Sequence, residues 1–443
     1  MKRPELLSPA GTLKNMRYAF AYGADAVYAG QPRYSLRVRN NEFSKEDVLA
    51  RGIEEAHAAG KRFFLASNIA PHNNKLKNYI RDLEPIVAMG PDALIMSDPG
   101  LIMMVRERFP DMPIHLSVQS NVVNYAAVKF WQSFGLTRII LSRELSLKEV
   151  GEIREQCPDM ELEVFVHGAL CIAYSGRCLL SGYLSHRDSN QGACTNTCRW
   201  KYNAYEARET STGDVVPVEV RPSEQPAALL EEETRPGELM PAFEDEHGTY
   251  IMNSRDLRAV QHVRELAAMG IDSLKIEGRT KSAYYAARTA QVYSRAIDDA
   301  VAGRDFDMAM MDELEGLANR GYTEGFYRRH PPKEYQNYER GVSTSDRQQL
   351  VGEIADASAD FLTITVKNRF ERGDLLELVT PYGNRTFMLD VLLDKNGQAT
   401  DAAPGSGHVV QIPVPQDVDA ARLDEFAMLV RYLPREPAAQ AVA

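Results

Sequence analysis

The sequence predicts an α/β fold: a (β/α)8 TIM-like barrel with a cysteine-bearing insertion after its seventh strand, followed by a small C-terminal antiparallel β-barrel domain. Three observations lead there. Short apolar runs recur along roughly the first 300 residues, each followed by apolar residues at helical spacing. The runs are continuously apolar rather than alternating, as expected of a parallel sheet covered on both faces. From about Leu350 the helical spacing stops, and strand-like runs bounded by turn residues take over.

Eight runs qualify as barrel strands. They are ELLSPAG from Glu5, AVYAG from Ala26, RFFLASN from Arg62, ALIMSD from Ala93, IHLSVQS from Ile114, RIILSRE from Arg138, LEVFVHG from Leu162 and SLKIEGR from Ser273. Segments such as TLKNMRYAFAYG and SKEDVLARGIEEAHAAG lie between them as helices. Eight such units fit a closed barrel best. A doubly wound open sheet is the alternative, because a count of units does not establish closure.

The first six connections are compact. The seventh runs from Cys171 to about Ser273, and its middle, VEVRPSEQPAALLEEETRPGELMPAFEDEHG, is acidic, Pro-rich and without a clean period, so it reads as an irregular excursion. NSRDLRAVQHVRELAAMG then supplies the helix returning to strand eight, and SAYYAARTAQVYSRAIDDAVAG a long amphipathic helix after it. The expected organisation is a catalytic domain over 1–335 with its cysteine-bearing insertion at 171–260, a linker at 336–349, a β domain at 350–435 and a disordered tail at 436–443.

With 44% hydrophobic and 26% charged residues in 443, the chain can bury a core of normal size without disulfide staples. No stretch reads as a signal peptide or a membrane span, so the sequence predicts a cytoplasmic protein with no membrane contact. The net charge of −11 argues against a general RNA binder but not against a selective one, which would meet its polyanionic partner through a local basic patch. In a reducing compartment, clustered thiols point to metal binding or catalysis rather than to disulfides.

Only five cysteines are present, and four of them, Cys171, Cys178, Cys194 and Cys198, fall within 28 residues that begin where strand seven ends. Their spacing matches neither a zinc ribbon nor the common ferredoxin runs, yet four thiolates can close a tetrahedral site for zinc or for a [4Fe–4S] cluster. Cys157, on the preceding helix, reads as a core residue. A nucleophilic cysteine is the competing chemistry, since His167 stands four residues before Cys171, but it leaves the other three thiols unexplained. HExxH and GxSxG are absent, so neither a zincin nor an α/β-hydrolase is supported.

Other polar residues gather at strand ends: Asn68, Asp98, Gln119, Arg143, His167, Glu277 and Arg279. Singly, each suits a satisfied strand terminus; as a ring around one barrel mouth they suit a site. His167 and Glu277 are the candidates for proton handling, and Asn68 and Arg279 for substrate contact. In the loop GQPRYSLRVRNN, Arg37 and Arg39 project the same way if the backbone is extended and can clamp one anion; the alternative is a solvated basic loop. YRRHPPK, with Arg328 and Arg329, is a second basic spot.

EVFVHGALCIAYSGRCLLS closely resembles the signature of the collagenase-like peptidase family U32, carried here by Glu163, Phe165, His167 to Cys171, Ser175, Gly176, Cys178 and Ser181. LLSPAGTLKNMRYAFAYGADAVYAG resembles that family's opening, and NSRDL with GIDSLKIEGRTKSAYY a later block. In length and in its terminal β domain, the chain is similar to members acting on tRNA. The resemblance implies hydroxylation of the wobble uridine in the anticodon loop to 5-hydroxyuridine, the first step towards 5-carboxymethoxyuridine. It also implies an iron–sulfur cluster on cysteines of this kind and prephenate as a required metabolite. Arg37 and Arg39 would bind the two carboxylates of prephenate, or else tRNA phosphate, and no stable protein partner is evident from the sequence. A peptidase is the alternative from the same family, and a non-catalytic cluster carrier is a third reading.

Overall fold

The computed structural model describes residues 1–36, 41–171, 173–178, 180–187, 189, 195, 197, 255–278, 281–328 and 347–433, together with the backbone of five short strands between residues 206 and 250. Eight strands form a ring: β1 (Glu5–Pro9), β2 (Ala26–Gly30), β3 (Arg62–Ser67), β4 (Ala93–Met96), β5 (Ile114–Leu116), β6 (Arg138–Ile140), β7 (Glu161–Ala169) and β8 (Ser273–Ile276). Each is parallel to its predecessor, and β8 pairs with both β7 and β1. Ser273 lies opposite Glu163 on one side and opposite Glu5 on the other. That double pairing closes the barrel and excludes the open doubly wound sheet.

Helices α1 (Leu13–Ala21), α2 (Glu46–Ala58), α3 (Asn73–Ala88), α4 (Pro99–Arg108), α5 (Tyr125–Ser133) and α6 (Leu147–Gln156) follow the first six strands. Their starts are written locally. Thr12, Asp98 and Asn124 each accept a backbone N–H of the first turn, and Ser146 with Glu149 forms a full capping box. The short α7 (Leu180–Ser185) lies in the cysteine-bearing segment, α8 (Val263–Ala268) leads into β8, α9 (Ala283–Val301) follows it, and α10 (Ala309–Glu315) comes next.

The barrel interior is charged. Arg138 on β6 donates to Glu5 on β1 at 2.6 Å and to Glu163 on β7 at 3.1 Å, and Lys275 on β8 donates to Glu163 at 2.8 Å. Strands one and six are not neighbours, so these side chains meet only through the interior. Glu163 is fully buried and Arg138 nearly so. The four charges cancel, which is the condition for keeping ions out of water.

Two short strands lie outside the ring. Asp256–Arg258 runs antiparallel to the end of β7, with Leu257 opposite Gly168, and Tyr322–Thr323 pairs with it. Within the excursion the backbone forms two small antiparallel sheets, Glu206–Glu209 with Val215–Val218, and Leu239–Asp245 between Ala228–Glu231 and Gly248–Tyr250. The sequence reading as irregular chain missed them because strands this short, diluted with Pro and Glu, give no usable alternation.

The C-terminal region is a separate antiparallel sheet built from β9 (Gln348–Ala357), β10 (Phe361–Val366), β11 (Leu375–Thr380), β12 (Gly383–Met388), β13 (Leu393–Asp394), β14 (Val409–Pro413) and β15 (Met428–Tyr432). Its order is β12-β11-β15-β9-β10-β14-β13. A further two-stranded antiparallel ladder, Phe370–Glu371 with Ala402–Ala403, belongs to the same region, which is the separate antiparallel β domain expected. Val379, Met428 and Val430 pack into the barrel-side core. Buried Arg288 of α9 donates to Glu377 of β11 at 2.8 Å. The Tyr22 hydroxyl, at the end of α1, donates to the carbonyls of Val379 and Phe426 at 3.1 and 2.9 Å.

Tyr22→Phe therefore strands two carbonyls between the units and is expected to lower stability by about 1 kcal/mol. A urea titration reads this directly, and an unchanged midpoint would show the contact to be incidental. No helix among the described residues is long and apolar enough to cross a membrane.

Candidate functional site at the barrel mouth

The carboxyl ends of the barrel strands bring several of the expected residues together. Glu277 directly follows β8. The Tyr28 hydroxyl donates to its Oε2 at 3.1 Å, and Arg143 Nη2 lies 3.8 Å from the same oxygen. Arg143 is itself fixed, donating to the Ala169 carbonyl at 2.6 Å, with its guanidinium carbon 3.8 Å from the Phe165 ring centroid. Beneath them Lys275 sits 4.4 Å from the Tyr28 ring centroid. The result is a mostly buried carboxylate flanked by a phenol and a guanidinium, with a second cation underneath.

His167 takes a different position. Glu277 N–H donates to the His167 carbonyl at 2.8 Å, so the two backbones touch. The imidazole, however, packs among Tyr285, Tyr293 and Tyr322, with ring centroids 5.4 to 5.7 Å away. Its Nδ1 lies 3.3 Å from the Tyr293 hydroxyl. Burial, reinforced by Arg258 and Lys281, pulls its pKa down to about 3, so the ring is neutral. The cause is a register shift: Lys275 faces Phe165, but Ile276 faces His167, leaving Val166 as the extra residue. Such a bulge turns the following side chain to the other face, here towards α9 on the outside of the ring. Gly168 comes next at φ +107°, where a Cβ would collide with the Glu277 carbonyl oxygen.

Asn68 is a tie between loops. Its Oδ1 accepts the Leu36 N–H at 3.2 Å, and its Nδ2 donates to Gln119 at 3.1 Å and to Ser117 at 3.3 Å. It thereby joins the loops after β2, β3 and β5, and holds the stretch immediately before Arg37.

Cys171 is an exposed free thiol just past β7, and Cys178 a half-buried one. Three residues after Cys178, buried Ser181 binds the segment that follows Cys194 in the chain. Thr195 N–H donates to Ser181 Oγ at 3.1 Å, and the two hydroxyls are 2.9 Å apart. Ser189 donates to the Cys178 carbonyl at 2.6 Å. Cys194, Cys198, Arg37, Arg39 and Arg279 lie outside the described residues. Among the described residues no three thiol, imidazole or carboxylate groups converge on one point. The donor chemistry nonetheless suits a thiolate-ligated centre: two unpaired thiols at the mouth, on a segment hydrogen-bonded to the one carrying the next cysteine.

Sequence reasoning passed over Tyr28 and Lys275. Each sits inside an otherwise ordinary strand run, and only closure of the ring brings Tyr28 of β2 to Glu277 and sets Lys275 over the Tyr28 ring.

The model of peptidase family U32 matches residues 11–337. The chain belongs to peptidase family U32. A second model, the U32 C-terminal domain, matches residues 346–423, within the antiparallel sheet. This U32 chain is 63% identical to the tRNA hydroxylation protein P of Escherichia coli (strain K12), over 97% of both chains. It is 59% identical to the protein of the same name from Haemophilus influenzae, covering 97% of this chain and 96% of that one. A 23S rRNA 5-hydroxycytidine C2501 synthase of Escherichia coli (strain K12) is 29% identical over 85% of this U32 chain and 52% of its own length.

Proposed function

We propose that this chain is a tRNA hydroxylase that installs the 5-hydroxyl of the wobble uridine in a prephenate-dependent reaction in the cytoplasm. The observation that carries the reading is the 63% identity, over 97% of both chains, to a protein named for tRNA hydroxylation. The barrel mouth supplies chemistry that suits it. Replacing C–H by C–OH at C5 moves an oxygen atom onto the base from an oxygen-donating co-substrate, which is reduced by two electrons, while the C5 proton leaves the base. To Glu277, with Tyr28 and Arg143 on one oxygen, we assign the role of taking that proton. His167 acts as a positioning residue, because its carbonyl holds the Glu277 backbone.

A wobble uridine is unpaired in the anticodon loop, so bringing it into the mouth costs little. Arg37 and Arg39 bind the two carboxylates of prephenate, on a loop that Asn68 ties to the mouth through Leu36. Arg279 contributes a further substrate contact. Cys171, Cys178, Cys194 and Cys198 hold the [4Fe–4S] cluster, with zinc the alternative occupant. When bound, the cluster supplies one-electron redox chemistry that no side chain here provides. The peptidase alternative lacks its dyad: the Cys171 thiol is exposed while the His167 ring is enclosed by tyrosines.

The test is mass spectrometry of tRNA nucleosides from a deletion strain lacking any redundant enzyme, complemented with wild type or with Cys171→Ala. Wobble 5-hydroxyuridine derivatives should return with the wild type alone. Protein purified without oxygen should carry about four irons and four sulfides, lost in each of the four cysteine variants. Unchanged tRNA in the deletion strain would end this reading.

A further inference from the structure

We propose that the turn Tyr174–Arg177 is a rigid stacking platform for an RNA base entering the barrel mouth, with Tyr174 as the stacking face and Arg177 as a phosphate contact. The inference rests on the tRNA reading above and adds to it the surface that receives the RNA. The turn lies between Cys171 and Cys178, directly after β7. It is closed by the Arg177 N–H donating to the Tyr174 carbonyl at 3.0 Å, with Gly176 at φ +71° in the third position.

It is also clamped to the barrel. Asn121, after β5, donates from Nδ2 to the Ser175 carbonyl at 2.9 Å and to the Gln119 carbonyl at 2.8 Å. Asn121 does so from a left-handed backbone, φ +50°, that a non-glycine residue adopts at a cost. Gly176 lies so close to Gln119 that a Cβ would sit 3.0 Å from the Gln119 Cβ. Gln119 is in turn held by Asn68. The turn is therefore braced by the ends of two barrel strands.

On this braced turn the exposed groups are an aromatic ring and a guanidinium. Tyr174 is 51% exposed, whereas Tyr28, Tyr285, Tyr293 and Tyr327 around the same end of the barrel are all buried. Arg177 is exposed beside it. An aromatic face accepts any base by stacking, and a guanidinium accepts a phosphate in a two-pronged contact. Because the backbone is already fixed, little further ordering is needed when a base arrives. The platform would hold the target base, or its neighbour, beside the Cys171 and Cys178 thiols that flank the turn.

The experiment uses full-length, cluster-loaded protein with Tyr174→Ala, Tyr174→Phe and Tyr174→Leu, and an anticodon stem-loop RNA as the probe. Tyr174→Ala should weaken RNA binding by about 10- to 100-fold. KM for tRNA should rise accordingly, while kcat at saturation changes little. Tyr174→Phe should bind like wild type, and Tyr174→Leu like the alanine variant, because the ring rather than the hydroxyl or bulk is what stacks. Iron content should be the same in all four proteins.

Undiminished RNA binding by Tyr174→Ala would overturn the proposal, as would a Phe variant as weak as Ala. Loss of iron in Tyr174→Ala would overturn it too, by making the ring a shield for the metal centre. If wild type binds the stem-loop through Tyr174 but tRNA from the deletion strain is unchanged, the platform stands and the hydroxylase reading falls.

Discussion

Glu163→Gln is expected to destabilise the protein by about 3–5 kcal/mol, the cost of removing one charge from a buried, hydrogen-bonded set. The substitution keeps the shape of the side chain and removes only its charge, so no cavity confuses the result. Lys275 Nζ at 2.8 Å and Arg138 Nη1 at 3.1 Å would then face an amide in the closed interior of the barrel. Arg138 keeps Glu5, whereas Lys275 loses its fully buried carboxylate and still lies over the rings of Tyr28 and Phe165. A urea titration at neutral pH should show the loss as a lower midpoint with the slope unchanged.

Adding Lys275→Met to Glu163→Gln should recover much of that loss, since the remaining interior charges again cancel. A double variant as unstable as the single one would mean that packing, and not charge, is what Glu163 supplies. The pH dependence follows from the same contacts. Burial raises the Glu163 pKa, but Lys275 and Arg138 outweigh burial and hold the carboxyl below the usual carboxylate range. The ionised group therefore contributes stability that is fully present above its unfolded pKa of about 4.3 and lost as pH falls through the lower folded value. The gap between wild type and Glu163→Gln should accordingly narrow on acidification below about pH 4.3.

Much of the barrel is legible in the sequence because its strands are continuous apolar runs. The run from Ser273 is a case in point: it reads as strand eight by itself, and the ring then requires it to pair with β1 and β7. The interior charges are harder to interpret. Glu5 and Arg138 begin their strands and Lys275 lies within one, and nothing in the runs shows that they meet until closure brings β1, β6 and β8 around one interior. His167 shows a second limit. Counting by twos from Glu163 and Phe165 points its ring into the barrel, and one extra residue at Val166 points it out. A bulge leaves no composition signal; here the following Gly168, forced to positive φ by the Glu277 carbonyl, is the nearest thing to a marker. Asp256–Arg258 is hidden for another reason: three residues inside a stretch that reads as a helix carry too little pattern to register as a strand. The cysteine cluster, by contrast, stood out through sheer scarcity elsewhere in the chain.

Glu277→Gln should lower the rate of tRNA hydroxylation by about 10²- to 10⁴-fold, the usual contribution of a positioned proton acceptor. Three observations single out this carboxylate at the mouth. It directly follows β8; it is mostly buried with Tyr28 at 3.1 Å and Arg143 at 3.8 Å on one oxygen; and its backbone is tied to β7 through His167. The amide keeps an oxygen for the Tyr28 hydroxyl, so the local structure should survive while basicity does not. Binding of the anticodon stem-loop and iron content should match wild type, placing the defect in kcat. A parallel loss of RNA affinity or iron would instead make Glu277 a structural support of the mouth. Equal rates would move the proton to another acceptor, and Tyr28, whose hydroxyl reaches both Glu277 and the Ile276 carbonyl at 3.1 Å, would be the next group to remove.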